Sequence, residues 1–141
     1  MTEKTQLVTY INPPGTVPAQ GLYSHASRIR AGDLYYVAGQ LSVDAESKIV
    51  GENDFEAQFM QVFKNLRAVM DGLGVTFDHV AKFSTYFVHS QDIEKFMVLR
   101  AKHFPTMFKT SQYPPNTICV IDRLVKEQFL FEVEAVVRAA D

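Results

Sequence analysis

The side chains best suited to chemistry in this chain are two glutamates near its C-terminus. Glu132 and Glu134 stand two positions apart in the predicted strand Phe129–Val137, so both project from one face of that strand. A carboxylate in such a position could hold or deprotonate a water molecule. The spacing equally suits a solvated strand face, or an ion pair with Lys82 or Arg123 across the sheet, and these interpretations stay open.

The single cysteine, Cys119, is the other conceivable nucleophile. It lies in the predicted strand Thr117–Ile121 among apolar neighbours, and a cysteine in that setting is usually an inert core residue. Because side chains alternate along a strand, Asn116 and Ile118 share one face and Cys119 projects from the other. We therefore predict that Cys119 is buried in the core.

Metal and cofactor motifs are absent from the sequence. No two of the four histidines have the HxxxH or HExxH spacing of a metal site, and one cysteine cannot form a zinc cluster or an intrachain disulfide. The chain also lacks the GxGxxG, Walker A and GxSxG motifs of nucleotide-binding proteins and common serine hydrolases. We expect no metal and no cofactor.

Six strands and two helices are predicted to position these residues. The strands are expected at 5–10, 27–30, 34–38, 79–88, 117–121 and 129–137. The first helix follows an apolar stripe of period 3.6 from Phe55 to Leu73, with Asn53 or Asp54 before it and Gly72 or Gly74 after it.

The second helix is predicted to start after Ser90, and Pro105 should kink or end it. Strands mixed with two helices indicate an α+β fold in which both helices pack on one face of a sheet. The excess apolar surface of the sheet then favours an oligomer.

The composition is that of an ordinary globular protein, with 47% hydrophobic and 21% charged residues in a chain of 141. This length predicts one domain, residues 1–141. A net charge of −2 provides no basic surface for nucleic acid. No apolar run is long enough to span a membrane and the first residues do not resemble a signal peptide, so we expect a cytoplasmic protein.

Four short segments resemble a known protein family. They are 21–26 (GLYSHA) and 37–40 (VAGQ) near the N-terminus, and 113–116 (YPPN) and 131–135 (FEVEA) near the C-terminus. Together they resemble the Rid family of YjgF-like proteins, whose known enzymes hydrolyse reactive enamines and imines. The resemblance implies a chorismate-mutase-like fold, with a mixed sheet, two helices on one face, and a homotrimeric barrel with ligand pockets between subunits.

The resemblance also implies roles for individual residues. Glu134 corresponds to the family glutamate that positions the hydrolytic water, and Tyr23 to a tyrosine at the mouth of the pocket. The backbone of Gly39 and Ile118 would bind ligand oxygens. Ala38 stands where the family usually has a serine, so one hydroxyl hydrogen bond to the ligand would be lost.

The chain departs from the family pattern at Asn116, where an arginine normally pairs with the substrate carboxylate. A charged bidentate clamp is stronger than the neutral hydrogen bonds of asparagine, so small carboxylate substrates should bind less well. Arg100 in the second helix could supply the missing charge from another wall of the pocket. Alternatively, Arg100 is an ordinary solvent-exposed arginine.

Two functions are compatible with these residues. The first is a small-molecule hydrolase or deaminase acting on an enamine, an imine or a related metabolite, for which a 2-aminomuconate-type dicarboxylate is one candidate. The second is a non-catalytic trimer that binds or senses a small molecule. RNA cleavage is a third hypothesis, and the acidic charge balance weighs against it.

Overall fold

The structure is a computed structural model that describes residues 6–141, and it contains the six strands and two helices expected. They are β1 Val8–Ile11, β2 Ala26–Ile29, β3 Leu34–Gln40, α1 Phe55–Leu73, β4 Val80–Phe87, α2 Asp92–Met107, β5 Asn116–Val120 and β6 Phe131–Arg138. Most bounds agree with the sequence predictions to within two residues. Thr5, the predicted first residue of β1, lies outside the described residues.

Four of the strands form one mixed sheet in the order β3-β6-β4-β5. The β4–β5 pair is parallel and the other two pairs are antiparallel. Both helices pack on one face of this sheet, so the predicted α+β architecture is confirmed. We call the opposite face, which neither α1 nor α2 covers, the open face.

The first two strands differ from the single sheet that was expected, because β1 and β2 form an antiparallel pair of their own. Side chains attach this pair to the start of β4. The Tyr10 hydroxyl donates to the Val80 carbonyl at 2.8 Å, and the Ser27 hydroxyl donates to the Ala81 carbonyl at 2.7 Å. Burial raises the pKa of Tyr10, so its hydroxyl stays a donor.

The caps of α1 were predicted correctly. The Asp54 carboxylate accepts a hydrogen bond from the Ala57 amide at 3.1 Å, and Gly74 ends the helix at φ +74°. In α2 the proline does not end the helix at once. The helix continues past Pro105 to Met107, because the Phe108 amide still reaches the Phe104 carbonyl at 3.1 Å. No helix within residues 6–141 has the length and apolar character needed to cross a membrane.

The core lies between the helices and the sheet. Alternate residues of β4 and β6 are buried there, and the residues between them project from the open face. The buried set is dominated by aromatic side chains from both helices and both strands: Phe55, Phe59, Phe63, Phe83, Phe87, Phe96, Phe104 and Phe131. The alternation predicted for β6, apolar on one side and acidic on the other, is confirmed.

Candidate functional site

The two glutamates of β6 lie on the open face, next to Tyr86 of β4. The Tyr86 hydroxyl donates a hydrogen bond of 2.7 Å to Glu134 Oε1. Neither glutamate forms an ion pair with another residue of 6–141. Arg123 pairs instead with Glu127, at 3.6 Å. The expected alternative of an ion pair with Lys82 or Arg123 is therefore wrong, and Tyr86 is the partner.

Protonation on the open face is set by these contacts. The hydrogen bond to Glu134 raises the pKa of Tyr86, assisted by burial and by the neighbouring acidic groups. Burial, and then the charge of Glu134, raises the pKa of Glu132. Tyr86 therefore remains a hydrogen-bond donor at neutral pH and fixes one oxygen of Glu134, while the second oxygen is left as an acceptor for a water molecule.

Gly39 lies where β3 departs from regular pairing with β6. The register shifts between Val37 and Gln40, which places Ala38 and Gly39 in an irregular step of the strand. A Cβ atom on residue 39 would overlap with the side chain of Glu132. Glycine is therefore needed for the Glu132 side chain to lie across β3, beside the backbone predicted to bind a ligand.

A shallow hollow of about 350 Å³ opens on this face. Its lining is Tyr36, Val37, Ala38, Lys82, Ser84, Glu134, Ala135 and Val136. Ala38 and Glu134, both predicted as site residues, thus line the same hollow. Tyr36 is 80% exposed beside them, so the hollow is open to whatever covers this side of the sheet.

Asn116 projects from the helix-covered side of the sheet. The Thr85 hydroxyl donates to Asn116 Oδ1 at 2.7 Å, and Thr85 itself is buried. The asparagine oxygen is thus occupied, and Nδ2 is the group left to donate to a ligand. This side chain presents no charge at the position where the family pattern has an arginine.

Ile118 sits in the edge strand β5, and its backbone faces away from the sheet. The odd-numbered residues in and next to β5 make the backbone hydrogen bonds to β4. At one end the Phe83 amide donates to the Pro115 carbonyl at 2.9 Å, and at the other the Ile121 amide donates to the Phe87 carbonyl at 2.8 Å. Because a parallel strand bonds its neighbour through alternate residues, the backbone groups of Ile118 point to the free edge. A ligand oxygen can reach its amide there.

Arg100 is buried, so the interpretation of a solvent-exposed arginine is wrong. Only 2% of its surface is exposed. Its guanidinium carbon lies 4.9 Å from the ring centre of Phe96 and 5.8 Å from that of Tyr23. Nη2 donates to Met97 Sδ at 3.0 Å, Gly21 packs against Nη2, and Nη1 is buried without a partner. We call these five residues the arginine cluster.

Cys119 is exposed, which corrects the prediction that it lies in the core. The alternation along β5 was right, but the core face was assigned to the wrong residues. Ile118 packs against the core, whereas Cys119 is opposite Tyr86 on the open face. No helix covers that face, and apolar neighbours in the sequence cannot reveal which side of an edge strand the helices occupy.

The predicted site residues fall into two groups on opposite sides of the sheet. Ala38, Gly39 and Glu134 belong to the open face, and Tyr23, Arg100, Asn116 and Ile118 lie on the helix side or at the free edge of β5. Two larger hollows, of about 540 Å³ between the helices and about 500 Å³ along β1, contain none of them. Among residues 6–141 no group of three His, Cys, Asp or Glu could hold a metal ion.

Two relevant residues were missed from the sequence, Tyr86 and Thr85. Both lie inside the predicted strand 79–88, and no motif around them marks a functional role. Their partners, Glu134 and Asn116, are far away in the chain, and the strand register that joins them has no local sequence signal.

The chain is similar in sequence to a family of known proteins. Residues 15–139 match the sequence profile of the family described as endoribonuclease L-PSP. A RutC family protein of Pyrococcus horikoshii is 28% identical over 116 residues, which cover 82% of this chain and 86% of that protein. The RutC family protein YjgH of Escherichia coli is 27% identical over 131 residues, covering 92% and 94% of the two chains.

Solved structures agree with this match. The Rid family protein YyfB of Yersinia pestis, whose function is unknown, superimposes with a TM-score of 0.83 at 25% identity, covering 94% of this chain and 98% of that one. The structure of YjgH superimposes with a TM-score of 0.66 at 28% identity, covering 96% and 98% of the two chains.

Proposed function

The chain belongs to the endoribonuclease L-PSP family, the Rid/YjgF family, and we propose that it is a hydrolase that opens the C–N bond of an enamine or imine. The observation that carries this proposal is the Glu134 carboxylate, held by Tyr86 on a sheet face that no helix covers. Its free oxygen is an acceptor for the proton of a hydrolytic water molecule.

In the proposed reaction an enamine first tautomerises to the imine, which takes up a proton from solvent to form the iminium ion. A water oxygen then bonds to the carbon while the C=N π electrons move to nitrogen, and Glu134 takes a proton from that water and returns it to the nitrogen. The C–N bond breaks with its electron pair on nitrogen. The departing ammonia takes up the remaining hydroxyl proton, which yields ammonium and a carbonyl product, with no change of oxidation state.

The substrate would be held by the other predicted residues. The Asn116 Nδ2 group would donate to its polar end, the Ile118 amide at the free edge of β5 would bind an oxygen, and the backbone of Ala38 and Gly39 would form the opposite wall. Tyr23 would close the mouth of the pocket. These groups belong to two sides of the sheet, so one protomer does not bring them together.

We further propose that the protein is a homotrimer in which the open face of one protomer meets the free edge of another. An uncovered sheet face and an unpaired edge strand are both surfaces that proteins usually cover. Sedimentation equilibrium should give three times the 16.0 kDa protomer mass. A monomer with full hydrolytic activity would show that the two groups of residues need not meet across an interface.

Measured ammonia release would test the function. The purified protein would be given 2-aminoacrylate, longer imines generated in situ and 2-aminomuconate, each compared with its spontaneous hydrolysis. Release above the spontaneous rate for one of them supports the proposal and identifies the substrate. Ammonia release at the spontaneous rate for every compound would favour the second candidate, a binding or regulatory trimer. The uncharged Asn116 side chain, in place of an arginine, is compatible with that candidate.

Asn116→Arg is expected to raise kcat/KM for small carboxylate imines by roughly 10-fold, because a charged bidentate contact replaces a neutral one. The matched control is Asn116→Gln, which is also longer than asparagine but carries no charge. Steady-state ammonia release with both variants provides the measurement. Equal kcat/KM values for the arginine and glutamine variants would show that the substrate's polar end lies elsewhere.

A further inference from the structure

The arginine cluster contains a buried cation that the folded chain does not neutralise. Arg100 is 2% exposed, yet no carboxylate within residues 6–141 pairs with it, and Nη1 has no hydrogen-bond partner. Its one side-chain bond goes to the sulfur of Met97, a weak acceptor. A buried charge normally has an ionic partner, since desolvation without one is costly.

The guanidinium is still charged at neutral pH. Burial lowers the pKa of Arg100 to about 10, which remains well above neutrality. The aromatic rings of Tyr23 and Phe96 offer cation–π contacts, which compensate only part of the desolvation. An anion from outside the chain would complete the site.

The cover over Arg100 is the connection between β1 and β2, residues 12–25. Most of its first half is exposed, and its own hydrogen bonds are local: the His25 amide to Asn12 Oδ1 at 2.9 Å, and the Gln20 amide to the Tyr23 hydroxyl at 3.1 Å. Gly21 lies directly on Nη2, where any Cβ atom would overlap with it. Displacing this segment would uncover the guanidinium at the cost of the contact that Leu22 makes with the core.

We propose that Arg100 is the binding residue for a carboxylate-bearing metabolite, which enters when residues 12–25 move aside and bonds to Nη1. A carboxylate suits the site because it carries one charge and one of its oxygens can accept the charge-assisted hydrogen bond that Nη1 offers. A phosphate dianion would need several donors, and the cluster offers one orphan nitrogen among aromatic and apolar groups. That this metabolite is the substrate rests on the proposed function, and such a substrate would place a second polar end at Asn116; the binding itself does not rest on that function.

The test is isothermal titration of the wild-type protein with butanoate, butanamide and inorganic phosphate. Saturable binding of butanoate is expected, at least 10-fold tighter than that of butanamide or phosphate. Arg100→Met should weaken butanoate binding at least 10-fold. Arg67→Met is the matched control, because Arg67 is an exposed arginine that also lies over a ring, 4.9 Å from the centre of Phe77, and it should bind as the wild type does.

Thermal unfolding separates a binding role from a structural one. Without ligand, Arg100→Met should unfold at the wild-type temperature or above it, since a buried unpaired charge is removed, and butanoate should no longer raise that temperature. Should the methionine variant fail to fold, Arg100→Gln decides, because it keeps a polar side chain and loses the charge. A glutamine variant that binds butanoate as tightly as the wild type overturns the proposal.

Failure of this inference is distinguishable from failure of the proposed function. Imine hydrolysis without any preference for butanoate over butanamide would refute the carboxylate site and support the proposed enzyme activity. Butanoate binding that depends on Arg100, without imine hydrolysis, would support the carboxylate site and refute the proposed activity. Equal binding of butanoate by the wild type and Arg100→Met also rules out the carboxylate site.

Discussion

Replacing Glu134 with glutamine is expected to lower kcat for imine hydrolysis by about 10²- to 10⁴-fold, the usual contribution of a general base. Glutamine keeps the shape of the side chain and can still accept the hydrogen bond from Tyr86, but it cannot take a proton from water. The KM should change little, because the substrate's polar groups are assigned to other residues.

Glu132→Gln is the matched control for this variant. It makes the same chemical change two residues away on the same face of β6. Burial raises the pKa of Glu132, so its charged form is less favourable in the folded protein than in the unfolded chain. We therefore expect Glu132→Gln to keep most of the activity and to be slightly more stable than the wild type above the pKa of that group.

Steady-state rates of ammonia release at pH 7, with circular dichroism to check the fold, would measure both variants. A Glu134→Gln protein as active as Glu132→Gln would show that the water is activated by another group. Loss of activity in both variants would show that the two carboxylates act as a unit.

Phe131→Ala is expected to cost about 3–5 kcal/mol of unfolding free energy, the range for an aromatic residue removed from a core. Phe131 is fully buried at the centre of the aromatic core. Its ring centre lies 5.1 Å from that of Phe55, 5.3 Å from Phe87, and 5.7 Å from Phe96. Both helices and two strands therefore lose contacts at once.

Urea unfolding at a fixed protein concentration would measure this loss, with Val98→Ala as the control. Val98 is 68% exposed on α2, so its truncation should change the unfolding free energy by less than about 0.5 kcal/mol. A loss below about 1 kcal/mol for Phe131→Ala would mean that the core collapses around the gap and that packing is less specific than the ring contacts indicate.

The elements of the fold were predictable because their signals are local. The apolar stripe of α1 extends over the whole helix, and Asp54 and Gly74 act at its ends as their residue types predict. The alternation of β6 between apolar and acidic residues correctly separated its core face from its open face. The end of α2 was predicted less sharply, since the helix continues two residues past Pro105 to Met107.

The site was less predictable because it depends on register and on which face the helices cover. Tyr86 reaches Glu134 through the pairing of β4 with β6, and no sequence spacing encodes that contact. Cys119 was placed on the wrong side for the same reason. The burial of Arg100 depends on residues 12–25 folding back over α2, which is a long-range contact of an irregular segment.

The claim that this chain is an imine hydrolase is tested most directly by the first-order rate constant for ammonia release from one imine, measured at increasing protein concentration. We predict a linear rise above the spontaneous rate, with many molecules of ammonia released per protomer. A rate constant that stays at the spontaneous value at every protein concentration, across the imines and 2-aminomuconate, would contradict the claim and leave a protein that binds its ligand without transforming it.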